Sequence, residues 1–67
     1  MQKESVSNCL QEYRTKAGFT QEDLGKKVGV TRQTIIAIEK GNYTPSVLLA
    51  LKIAKVLKLP VEQIFSC

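Results

Sequence analysis

The stretch "TQEDLGKKVGVTRQTIIAIEKG", residues 20–41, decides how the chain folds. Thr20 is a natural helix cap, and Asp23 stands three residues on, at the N3 position of a capping box where Glu or Gln is more usual. Leu24 and Val28 form an apolar stripe at i, i+4, and Gly29 stops that helix. Gly25 lies inside it at a cost of about 1 kcal/mol against alanine, which the close approach of another helix would offset. Only Val30 and Thr31 separate Gly29 from the next helix, which Thr31 caps and which runs from Arg32 to about Lys40 before Gly41 ends it. Two short helices thus meet across a tight turn.

Working outward, residues 6–17 ("VSNCLQEYRTKA") place Val6, Cys9, Leu10, Tyr13 and Ala17 at spacings of three and four, with Gly18 as a stop. On the other side "NYTPS" is a loop, since Pro45 cannot continue a helix and Ser46 can cap one. A fourth helix is expected from Val47 to about Lys58, and "VEQIF" after Pro60 suffices for one last turn. No segment reads as a strand, repeat or linker. The expected fold class is all-α: five short helices in one compact domain over residues 1–67, with a central helix-turn-helix.

Composition narrows the function. Ten Lys+Arg against six Asp+Glu give a net charge of +4, a mild basic bias compatible with nucleic acid or another anionic surface. Histidine, the commonest general base, is absent. Without a nucleophile motif or a glycine-rich loop after a strand, an enzyme is not expected. The adjacent acids Glu22 and Asp23 suit the first turn of a helix, where they meet its dipole favourably. Cys9 and Cys67 lack metal-ligand spacing, so neither a metal nor a cofactor is expected. Cys9 reads as a small, partly buried apolar residue and Cys67 as a free thiol, with compartment arguing against a disulfide. No apolar run spans a bilayer and "MQKESVSN" lacks a leader's apolar core, so the cytoplasm is the expected location and no membrane partner is expected.

A helical wheel orients the second helix of the motif. With Arg32 at zero, Ile36, Lys40, Gln33 and Ala37 fall at roughly 40°, 80°, 100° and 140°, with Ile35, Ile38, Thr34 and Glu39 opposite. Ile35 and Ile38 are therefore core residues, while Ile36 lies outside among Arg32, Gln33 and Lys40. Arginine presents a fork to guanine, glutamine matches adenine, and an apolar tip meets a thymine methyl in the major groove. Arg32 and Gln33 are the first two residues of this helix, where base readers of a helix-turn-helix stand. A scattered surface isoleucine is also ordinary, so Ile36 has both readings.

The strings "TQEDL", "GVTRQTI", "IEKG", "PS" and "ALKIAKVL", in this order and spacing, resemble the Cro/CI-like (XRE) family of helix-turn-helix regulators. The likeness runs from about Leu10 to Phe65, and the short stand-alone members of the cytolysin-repressor type are most similar. It implies a lambda-repressor-like DNA-binding domain with base contacts from Arg32, Gln33 and Ala37, to which the wheel adds Ile36. It also implies a phosphate contact from Gln21, whose amide and helix N-terminus both suit an anion. Thr31, Lys40, Asn42, Tyr43 and Thr44 flank the recognition helix and are further phosphate candidates, although Asn42 and Thr44 serve equally well as turn residues. Lys26 and Lys27 read as a solvated face. The resemblance pairs Arg14 with Glu39, whose inward position is costly for a lone acid. Two departures stand out: Gly25 where the family usually has alanine, and Lys58 where it often has glycine or another small residue.

The fourth helix carries Lys52, Lys55 and Lys58 on one stripe, with apolar residues over an arc of about 220° where one core needs little more than about 100°. That excess fits either a helix enclosed by its own chain or a homodimer on the C-terminal helices, about residues 46–65. Leu48, Val56, Leu59, Val61, Ile64 and Phe65 are the expected interface. The function expected is a sequence-specific regulator of transcription, a repressor binding a double-stranded, pseudo-palindromic operator as a homodimer. The alternative is an antitoxin or interaction module whose C-terminal helices bind a different protein.

Overall fold

The computed structural model describes residues 8–66. Its helices are α1 (Leu10–Lys16), α2 (Gln21–Val28), α3 (Arg32–Glu39), α4 (Val47–Leu57) and α5 (Val61–Phe65), and no strand occurs among the described residues. The capping chemistry read from the sequence is realised. The Thr20, Thr31 and Ser46 hydroxyls accept from the backbone N–H groups of Asp23, Thr34 and Leu49. Asp23 returns the favour by accepting from the Thr20 N–H at 3.0 Å. Hydrogen bonding to the carboxylate from Thr20, its backbone N–H first and its hydroxyl second, holds the Asp23 carboxyl below its ordinary pKa.

α1 begins at Leu10; the part of its expected span at Val6 lies outside the described residues. Asn8 fixes the start. Its side-chain oxygen accepts from the Leu10 N–H at 3.1 Å, while its amide donates to the Ile38 carbonyl at 2.8 Å. The Cys9 N–H donates to the Ile64 carbonyl at 2.8 Å, joining the first helix to the last. Cys9 is partly buried, as expected, but it is also bonded in a disulfide, which corrects the expectation that a disulfide is disfavoured. Linear separation concealed how the fold carries the edge of α1 to α5. Cys67, expected as a free thiol, lies outside the described residues.

All five helices feed one core. Leu10, Leu24, Ile35, Ile38, Ile53 and Ile64 are fully enclosed, with Val28, Leu49, Ala54 and Leu57 nearly so. Ile35 and Ile38 thus face inward as the wheel requires. Ile64 was expected at an interface between chains, but its side chain is sealed inside this one. It is a core residue because α5 turns its one apolar stripe toward α1 and α4, leaving Ile64 no surface to offer.

Each of the first four helices ends in a left-handed residue, followed by an N–H that reaches back five positions. Phe19, Val30, Asn42 and Leu59 donate to the carbonyls of Arg14, Gly25, Ala37 and Ala54. Glycine supplies the left-handed position three times, but after α4 it is Lys58, at φ 60°. A side chain there strains against its own backbone. Replacing Lys58 by glycine should stabilise the fold by about 0.5–1 kcal/mol, a rise of several degrees in melting temperature.

Gly25 has the opposite requirement. A β-carbon on it would lie 2.8 Å from the Val30 carbonyl oxygen and 3.2 Å from the Thr31 carbonyl carbon. Both are backbone atoms of the turn between α2 and α3, so α2 sits as close to that turn as a bare backbone allows. Gly25→Ala gains helix propensity but forces the turn away, and should cost about 1–2 kcal/mol net. Thermal denaturation of the two variants side by side should shift the midpoint in opposite directions.

Candidate nucleic-acid interface

α2 and α3 form a helix-turn-helix, and a buried polar network ties them to α1. The Arg14 guanidinium donates from Nε to Glu39 Oε2 at 2.6 Å, from Nη2 to Oε1 at 3.3 Å, and from Nη1 to the Phe19 carbonyl at 2.8 Å. Both charged side chains are under a tenth exposed. A lone carboxylate there would be expensive, whereas a forked, fully hydrogen-bonded pair satisfies both ions. Gln21 joins them, its amide donating to Glu39 Oε1 at 3.0 Å. The Gln21 link was not foreseen; a hydrogen bond across 18 positions leaves no spacing signal.

That link orients Gln21. One amide proton is committed to Glu39, and the second remains for an external acceptor. Beside it lie the first backbone N–H groups of α2, which no carbonyl of the helix can reach. The arrangement suits an anion at this helix start, with Arg14 balancing the charge of Glu39.

The outward face of α3 follows the wheel. Arg32, Gln33 and Lys40 are exposed, while Ile36 and Ala37 are half-buried on the same side. Arg32 makes no ion pair among the described residues, so its guanidinium is free to bind elsewhere. Thr31 is occupied as the cap of α3, with its hydroxyl oxygen 3.2 Å from that of Thr34. Asn42, Tyr43 and Thr44 project from the loop after α3, all exposed.

Farther along, Leu48 is 63 % exposed, but Val56, Leu59, Val61 and Phe65 are half-buried against the core. Val47 at 76 % and Leu51 at 52 % are the exposed apolar neighbours that the expected interface omitted. The apolar arc of α4 contained the signal, since Val47 and Leu51 repeat at i, i+4 beside Leu48. No helix among the described residues is long and apolar enough to cross a membrane.

The helix-turn-helix family profile matches residues 10–64. An uncharacterised HTH-type transcriptional regulator of Bacillus subtilis is 53% identical over 60 residues, covering 90% of this chain and 91% of its own length. The restriction-modification controller protein C.AhdI of Aeromonas hydrophila superposes with a TM-score of 0.77 at 32% identity, over 84% of this chain and 85% of that one. SinR, a master regulator of biofilm formation from Bacillus subtilis, was solved in complex with DNA. It superposes with a TM-score of 0.73 at 28% identity, over 79% of this chain and 86% of that one. Relatives, fold and the geometry of α2 and α3 agree: the chain is a DNA-binding transcriptional regulator of the Cro/CI-like (XRE) helix-turn-helix family.

Proposed function

We propose that the protein is a cytoplasmic repressor that binds a pseudo-palindromic operator as a homodimer and acts by occupying it. The observation that carries this reading is the pair Arg32 and Gln33, exposed at the start of a helix whose opposite face is sealed in the core. Arg32 and Gln33 read base edges, with Ile36 and Ala37 following along the groove wall. Gln21, Thr31, Lys40, Asn42, Tyr43 and Thr44 hold phosphates on either side and set the register. The DNA complex of SinR supports the docking mode.

Dimerisation rests on the first half of α4. Val47, Leu48 and Leu51 leave an apolar strip in water that the core does not use. Leu59, Val61 and Phe65 extend it at the other end of the C-terminal helices. A second copy related by a two-fold axis covers this strip and sets two recognition helices one helical turn of DNA apart, about 34 Å.

Alanine at Arg32 or Gln33 should cost about 1–3 kcal/mol in operator affinity and relax preference at one position per half-site. Gln21→Ala should weaken all sequences alike. Site selection from random duplexes with each variant makes the comparison, and an unchanged preference in the Arg32 and Gln33 variants defeats the base-reading assignment.

Leu48→Glu should shift sedimentation toward monomer while leaving helical circular dichroism intact. A wild type that sediments as a monomer at high micromolar concentration, and pairs only with a second gene product, would replace the homodimer with an antitoxin-like module.

A further inference from the structure

Between the last turn of α2 and the middle of α4 lies an open cleft of about 400 Å³. Lys26, Lys27, Lys52 and Lys55 line it together with Val28 and Val56. Val28 is buried and Val56 half-buried, so the valines form an apolar floor below four flexible cations. No acid lines the cleft. Lys26 has Glu22 at 3.7 Å, and Asp23 attracts both Lys26 and Lys27, but these side chains are largely solvated and the attraction is weak. The Lys27 ammonium rests 5.1 Å from the centre of the Phe19 ring. Lys52 and Lys55 have no acidic partner among the described residues.

The dipole of α2 accounts for Lys26 and Lys27, since cations are favourable at a helix C-terminus. The dipole of α4 does the same for Lys55 in its own last turn, but neither dipole accounts for Lys52, which stands in the middle of α4. Four of the chain's ten basic residues converge here, and their mutual repulsion is relieved by an anion carrying several charges. The volume falls within the range of about 300–1,000 Å³ typical of small-ligand sites. Lysines are compact point charges that suit phosphate oxygens, and an apolar floor strengthens each contact by lowering the local dielectric.

We propose that this cleft is a binding site for an oligophosphate chain, separate from the base-reading face of α3. The phosphates belong either to a free oligophosphate or to a stretch of DNA backbone, and the site recognises their shared chemistry. It does not depend on how α3 reads sequence.

Calorimetric titration of the intact chain with sodium tripolyphosphate at fixed ionic strength should show saturable one-to-one binding. In heteronuclear correlation spectra the Gly29 and Val56 amides should move with the titration. Lys52→Gln combined with Lys55→Gln should weaken binding by at least about tenfold. Lys16→Gln combined with Lys58→Gln removes the same charge elsewhere and should have far less effect. Absence of saturation, or equal weakening by the two pairs, would overturn the site. The salt dependence of duplex binding then identifies the source. A slope flattened by about two in the Lys52 and Lys55 variant supports DNA backbone in the cleft. An unchanged slope with tripolyphosphate binding lost supports a free oligophosphate.

Discussion

The carboxylate of Glu39 is where three helices of this protein are brought to agree. Arg14 reaches it from α1 and Gln21 from the start of α2, while Glu39 itself closes α3. Removing either ion would strand the other in a site under a tenth exposed, a loss of about 3–5 kcal/mol in comparable buried pairs. Apolar packing alone tolerates a helix sliding or rolling by a fraction of a turn. A forked ion pair with a third donor does not, because its geometry is directional. The angle at which α3 is presented, and the direction of the Gln21 amide, are therefore set by the same atoms.

Much of this was legible in the residues. Thr20 with Asp23, Thr31 and Ser46 announced three helix starts, and Ile35 and Ile38 separated cleanly from Ile36 on a wheel, because caps and periodicity are local signals. What escaped was long-range. The Gln21–Glu39 bond, the Asn8 link to Ile38 and the meeting of Cys9 with Ile64 join residues that no spacing rule connects. Ile64 was misassigned for a related reason. A short helix of five residues has too little sequence to show which apolar side chain faces the parent core, and Val61, Ile64 and Phe65 look alike until α1 is placed against them.

Gly25 and Lys58, the two departures from the family pattern, turn out to be of different kinds. Gly25 answers to a neighbouring backbone 2.8 Å from where a methyl would stand; the local cost in helix propensity is exchanged for a tighter turn before α3. Lys58 answers to nothing visible around it and keeps a left-handed backbone with a side chain attached. One is a requirement of packing, the other a tolerated strain at a solvated helix end.

The contact between α1 and α5 has a consequence for how the chain reaches its native form. α2 and α3 meet across a three-residue connection, so they can associate with little loss of chain entropy. Tyr13 and Gln63, whose side chains share a hydrogen bond, are 50 positions apart, and Cys9 and Ile64 are farther still. Bringing those ends together is worthwhile only after the intervening helices have shortened the path between them. The DNA-reading unit is accordingly the part that can form early, and the seam where first and last helices meet is the part with the longest loop to close.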